Sequence, residues 1–172
     1  MVSSAHRHRS LATRIVWRLL PLLAMIGCQQ SDIDSVRSLA DVDQQLLVER
    51  GGLQFVADSK VGLHLAAKQK TPCLMFFTAE WCTFCHQMEA TAFADPAITQ
   101  LAEQFVCVLI DADREPAVCQ QFDVRGYPTV QFVSSDGRQL HSLVGKQSPT
   151  QLASGMQAAL ERLAWLDQGV TR

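Results

Sequence analysis

Apolar residues follow two rhythms along this chain. Two uninterrupted runs, Pro72 to Phe77 and Phe105 to Ile110, predict strands buried on both faces, the first carrying on to Thr78. Helical spacing governs other stretches. Lys60 to Lys70 places Val61, Leu65 and Ala66 on one side, and Leu152, Met156, Ala159, Leu160 and Leu163 recur after a Ser148-Pro149 cap. Asp95-Pro96 predicts a cap with proline in the first turn, opening a helix to Glu103, and Glu115 to Phe122 is a further short helix. Leu53 to Val56 predicts a short first strand. Pro128 to Val133 and Arg138 to Val144 flank Ser134-Ser135-Asp136-Gly137, which predicts a hairpin. Strand–helix alternation that ends in a hairpin and a closing helix predicts an α/β fold, a mixed central sheet with helices on both faces.

The chemistry collects where the first apolar run stops. After a short polar turn, helix-forming residues run from Cys82 to about Phe93, so Cys82-Thr83-Phe84-Cys85 sits at a strand-to-helix junction. A helix start offers free N–H groups and the positive end of the macrodipole, and both stabilise a thiolate. At i, i+3 the two cysteines share one face and can close a small disulfide ring. Cys82, nearer the helix start and more exposed, is then the attacking thiolate, and Cys85 resolves the mixed disulfide. Two other uses stay open: a purely structural disulfide, and c-type haem attachment, which Cys82-x-x-Cys85-His86 also spells. The strand before the motif argues against haem.

Trp81-Cys82-x-x-Cys85 after a strand, with Gly126-Tyr127-Pro128-Thr129 further on, resembles the thioredoxin superfamily. The flanks Ala79-Glu80-Trp81-Cys82 and Glu89-x-x-x-Phe93-x-Asp95-Pro96 are most similar to the C-terminal thioredoxin-like domain of DsbD-type thiol:disulfide interchange proteins, over roughly residues 50 to 165. The resemblance implies a thioredoxin fold and a thiol:disulfide oxidoreductase, tilted towards reduction with electrons from a membrane partner. It implies that Pro128 is a cis-proline facing the cysteine pair, that Tyr127 lines a substrate groove, and that Trp81 belongs to the same surface. It also implies that Glu89, four residues after Cys85, accepts or shuttles the Cys85 proton; a solvated helix carboxylate is the plain alternative. The chain departs from the pattern at one position. The family carries a buried aspartate six residues before the first cysteine, and this chain has Phe76 there.

Other polar and sulfur-bearing residues invite plainer assignments. His86 reads as an exposed helix histidine, or as a modest influence on the thiolate. Cys73, Cys107 and Cys119 fall on apolar faces as buried thiols, with a Cys73–Cys107 disulfide on neighbouring strands as an alternative. Asp111-x-Asp113 is a solvated loop, since two carboxylates make a poor metal site. No cofactor and no metal are assigned.

The first 27 residues contain four arginines, no acidic residue and an apolar run from Leu19 to Gly27. That predicts a secretory signal, too short to remain as a membrane span. Ala24-Met25-Ile26-Gly27-Cys28 resembles a bacterial lipoprotein processing site, with Cys28 as the lipidated residue; an ordinary signal peptide is the alternative. Residues 28–48 then read as an acidic tether and 49–167 as the thioredoxin-like domain. Lipid would hold the domain at a membrane surface on the periplasmic side, where disulfides persist. A hydrophobic content of 48% and a mean hydropathy of +0.05 are those of a globular protein. With the leader's four arginines set apart from the chain's 15 basic and 17 acidic residues, the remainder is acidic and has no basic run, which excludes nucleic acid as a partner. Protein thiols and disulfides are the expected partners.

Overall fold

A computed structural model of the chain describes residues 43–169. The predicted signal peptide, Cys28 and most of the predicted tether lie outside them. After a single 3-10 turn at Gln44–Leu46, the elements run β1 (Leu47–Arg50), β2 (Leu53–Val56), α1 (Ser59–Gln69), β3 (Cys73–Thr78), α2 (Thr83–Thr91), α3 (Pro96–Ala102), β4 (Val106–Asp111), α4 (Pro116–Gln121), β5 (Thr129–Val133), β6 (Gln139–Val144) and α5 (Pro149–Gly169).

The six strands form one mixed sheet in the order β1-β2-β4-β3-β5-β6. β3 is central, parallel to β4 and antiparallel to β5. Its six residues are all buried, as the uninterrupted apolar run requires. One face of the sheet (Phe55, Leu74, Phe76, Leu109, Phe132) packs on α2, α3 and α5 through Met88, Ile98, Leu152 and Met156. The other face (Val56, Met75, Phe77, Val108, Ile110) packs on α1 through Leu65 and Ala66, and on α4 through Cys119. The predicted α/β fold with helices on both faces of a mixed sheet is the fold observed.

Local signals fix the ends of the elements. The Asp58 side chain accepts the Val61 N–H at 2.9 Å to start α1, and Asp95 accepts the Ala97 N–H at 2.8 Å ahead of Pro96 in α3. Ser148 and Gln151 cap α5 reciprocally: Ser148 Oγ accepts the Gln151 N–H at 3.3 Å, and the Ser148 N–H donates to Gln151 Oε1 at 2.9 Å. In the β5–β6 turn, hydrogen bonds from Ser134, then from Arg138, hold the Asp136 carboxyl below its usual range.

Two expectations change. The first strand is β1, not Leu53–Val56, and it takes in Leu47 and Val48 from the stretch expected as tether. It is a hairpin partner of β2 across Gly51-Gly52, with Arg50 opposite Leu53. Leu47 to Val56 with two glycines in the middle is a hairpin signal that was present in the sequence. Gly51 has φ +64°, and a Cβ there would stand 2.4 Å from the Glu89 carbonyl oxygen and 2.8 Å from Phe93, so the turn rests directly on the end of α2.

The second concerns the alternative disulfide between Cys73 and Cys107. They do lie on neighbouring strands, but Cys73 pairs with Val106 and Cys107 with Leu74. That one-residue offset sends their side chains to opposite faces of the sheet, Cys73 towards α1 and Cys107 towards α3 and α5. Both are free buried thiols, as is Cys119. Burial pushes the Cys73 and Cys107 thiols up to about 12.

Candidate active site

The sheet leads β3 out at Thr78, and the chain turns through Ala79-Glu80-Trp81 into α2. Cys82 is the N-cap of α2 rather than a residue of its first turn, with extended backbone at φ −83° and ψ 93°. Its Sγ accepts the N–H of Cys85 at 3.2 Å, so the sulfur takes the place that a serine or aspartate oxygen usually fills. A helix N-terminus thus points at the atom that would carry thiolate charge. Cys82 and Cys85 are joined by a disulfide, with Cα atoms 5.3 Å apart. Cys85 is fully covered and Cys82 is 5% exposed, so the pair lies almost wholly beneath the surface, with Cys82 the outer member.

The residues expected around the pair are brought together. The Tyr127–Pro128 bond is cis. The Trp81 and Tyr127 rings meet edge to face with centroids 5.8 Å apart, which seats the Gly126–Thr129 loop beside the cysteine motif. The Pro128 carbonyl accepts the Gly145 N–H at 2.8 Å, tying that loop to the end of β6. Burial, then contact with the Cys119 thiol and the nearby Asp113 charge, pushes the Tyr127 phenol up to about 12, so it stays protonated at neutral pH.

Three large apolar side chains stand exposed in this region: Trp81 (66%), Phe84 (58%) and Val144 (73%). Phe84 and Val144 were not singled out from the sequence. Asp113, expected from the sequence only as part of a solvated loop, makes a specific contact: its carboxylate accepts the Trp81 indole N–H, Oδ2 at 3.1 Å and Oδ1 at 3.4 Å. Asp111 Oδ1 in turn accepts the Asp113 backbone N–H at 2.9 Å. The two aspartates form a loop that anchors the indole, and among the described residues there is no cluster of three or more His, Cys, Asp or Glu able to hold a metal ion.

On the far side of the cysteines, Glu89 is nearly covered, its side chain 13% exposed. Its Oε2 lies 3.7 Å from Arg50 Nε and 3.8 Å from His86 Nδ1, while its buried Oε1 has no hydrogen-bond partner. That is not the solvated helix carboxylate of the plain alternative. His86 is exposed, and its Nε2 lies 2.9 Å from the Glu80 carbonyl oxygen. Phe76 fills the place where the family pattern has an aspartate. It is fully buried and meets Phe93 edge to face at 4.8 Å and Phe55 at 6.0 Å, so an aromatic cluster replaces a polar site. As for haem attachment, both sulfurs would have to carry thioether bonds, whereas here each is bonded to the other and both His86 nitrogens already face protein oxygens.

Comparison with known proteins agrees with this geometry. The thiol:disulfide interchange protein DsbD of Vibrio vulnificus is 34% identical over 111 residues, covering 62% of this chain and 18% of that protein. The DsbD of Actinobacillus pleuropneumoniae is 29% identical over 133 residues, 75% of this chain and 21% of that protein. The chain therefore spans only about a fifth of the length of these relatives. Thioredoxin 1 of Synechococcus elongatus is 30% identical over 83 residues, 48% of this chain and 75% of that protein. Among solved structures, a DsbH oxidoreductase superposes with a TM-score of 0.56 at 20% identity, over 74% of this chain and 96% of its own, a likeness of fold alone. The thioredoxin family model matches residues 58–158, from the cap of α1 into α5, and so takes in the cysteine pair, the cis-proline loop and the sheet that presents them. On that match, which covers more than half of the chain, this protein belongs to the thioredoxin family.

Proposed function

We propose that the chain is an exported thiol:disulfide oxidoreductase that reduces protein disulfides through Cys82 and Cys85, tethered to a membrane surface by a lipid on Cys28. The observation that carries the redox role is the Cys82 sulfur at the cap of α2, bonded to Cys85 and accepting its N–H. The leader sequence and Cys28 support export and tethering. The likeness to DsbD proteins supports the reducing direction, with the electrons supplied by a dithiol of a membrane partner.

The cycle starts from the disulfide, which the donor dithiol reduces with two electrons, leaving Cys82 and Cys85 as thiols. Cys82 loses its proton, helped by the helix N-terminus, and its thiolate attacks one sulfur of a substrate disulfide. A Cys82–substrate disulfide forms, and the other substrate sulfur leaves as a thiolate that takes up a proton. Cys85 then gives its proton to Glu89, whose unpartnered Oε1 is one helical turn further along the same face. The Cys85 thiolate attacks Cys82 Sγ, the remaining substrate sulfur leaves, and the enzyme disulfide is restored. Trp81, Tyr127 and Pro128 form the surface on which the substrate segment lies.

The test is the midpoint potential of the Cys82–Cys85 pair in a dithiothreitol or glutathione buffer, read by alkylation, together with a Cys85→Ala chain challenged with disulfide-bonded protein. A potential near −270 mV, roughly the reducing end of the range for this fold, and accumulation of mixed disulfides on Cys82 are expected. A value near roughly −120 mV would make the protein an oxidant instead. A pair that never equilibrates, with no trapped adduct, leaves a structural disulfide.

A further inference from the structure

The sheet register orders everything that surrounds the disulfide. At one end of the sheet Asp111 pairs with Thr78 on β3, Phe77 with Thr129 on β5, and Thr129 with Val144 on β6. The loops leaving that end carry Asp113, the cysteine motif, Pro128 and Lys146 in the same order across the molecule. Lys146 follows β6 and reaches back to α2. Its Nζ donates to Gln87 Oε1 at 3.0 Å and stands over the Phe84 ring, 6.0 Å from the centroid. Both of these partners are neutral, and no carboxylate among the described residues pairs with Lys146. A fixed, exposed and unneutralised cation thus borders the apolar surface of Trp81, Phe84 and Val144. On the opposite flank, Asp113 carries a negative charge.

We propose that Lys146 selects substrates: the polypeptide segment that lies over the disulfide is preferred when it bears an acidic side chain about three residues from the attacked cysteine, on the flank towards β6. This rests on the oxidoreductase function proposed above. The spacing follows from the sheet. The Lys146 backbone leaves β6, two strand steps from β3 or about 10 Å at roughly 4.8 Å per step, and its side chain reaches back towards α2, so an extended chain at about 3.3 Å per residue meets the ammonium within about three residues. The cation has no internal ion pair to give up, so pairing with an incoming carboxylate requires only that the Gln87 contact be shared. A lysine at the same place in the substrate meets repulsion instead. Charge at the edge of an interface acts mainly on encounter and on choice of partner, and it is screened by salt.

The test uses the full chain and disulfide-linked peptide dimers that differ only in Glu, Gln or Lys three residues to either side of a single cysteine, with kcat/KM of reduction as the readout. Glu is expected to exceed Lys by about threefold to tenfold on one side of the cysteine only. The ratio should fall towards one at about 1 M salt, and Lys146→Glu should invert it, with Lys146→Gln in between. Equal rates for Glu and Lys peptides, or a preference that Lys146→Glu leaves in place, overturn the assignment of Lys146 while leaving the oxidoreductase standing. A chain that reduces none of the peptides, the Gln one included, overturns both.

Discussion

Arg50, the last residue of β1, ends 3.7 Å from Glu89 on the active-site helix, Nε to Oε2, while the other carboxylate oxygen of Glu89 is buried without a partner. One oxygen is steadied by a cation carried on the edge hairpin, and the other is left free on the face of α2 that bears Cys85. If that free oxygen receives the Cys85 proton, Glu89→Gln slows resolution of the Cys82 mixed disulfide by about a hundredfold and leaves the first attack by Cys82 unchanged. Rapid-quench trapping of the adduct separates the two steps. Equal slowing of both would assign Glu89 a structural part only.

Trp81 and Asp113, on the loops that follow β3 and β4, make a second pair distant in the chain, with the indole N–H held at 3.1 Å. A hydrogen bond at this partly solvated site contributes about 1 kcal/mol to holding the ring against Tyr127. Asp113→Ala is expected to raise KM for peptide disulfides by about fivefold with kcat nearly unchanged if Trp81 belongs to the substrate surface proposed above, because the ring loosens while the cysteines do not move. Asp113→Asn keeps an acceptor and should recover most of the loss. Trp81 fluorescence, which responds to the same change, reports on the ring directly.

Phe76 stands where relatives of this fold carry a carboxylate. Placing one there by Phe76→Asp removes the edge-to-face contact with Phe93 and buries an unpaired charge among Phe55, Phe93 and Leu74. A loss of about 3–5 kcal/mol or more is expected from the cavity and the desolvated group together. Urea unfolding monitored by circular dichroism measures it. A variant as stable as the parent would show that the aromatic cluster tolerates a polar site.

Cys73 and Cys107 predict the behaviour of the fold in alkali. Burial raises both thiols from 9.0 to about 12, so the folded chain keeps protons that the unfolded chain releases. Their contribution to stability is fully present below about pH 9 and is lost as pH rises towards about 12, at about 1.4 kcal/mol per pH unit for each thiol. Urea midpoints taken from about pH 8 to about pH 11 should fall along that slope. Cys107→Ala is expected to remove one thiol's share of the slope, whatever it does to stability at neutral pH, leaving that of Cys73 and, above about pH 10, of the raised Tyr127 phenol. An unchanged slope would mean that Cys107 does not titrate with unfolding.

What the sequence determined by itself was local. Apolar runs and helical spacing named nearly every strand and helix, because the signal for each lies within a few residues of its own backbone. Asp95 and Ser148 marked helix starts for the same reason, and Cys82-x-x-Cys85 carried its chemistry in its spacing. The β1–β2 hairpin across Gly51-Gly52 was not among the expected elements, because Leu47 and Val48 follow polar and acidic neighbours and read as tether. Tertiary structure decided the rest, and always by joining residues far apart in the chain. Asp113 meets Trp81 from 32 positions away, and Lys146 meets Gln87 from 59. Pattern alone put Cys73 and Cys107 on adjacent strands, but only the register put them on opposite faces, since a shift of one residue reverses the side of a sheet on which a side chain emerges. Periodicity shows that a face exists; which residues meet across it depends on strand order and register, set by the packing of the whole sheet against its helices.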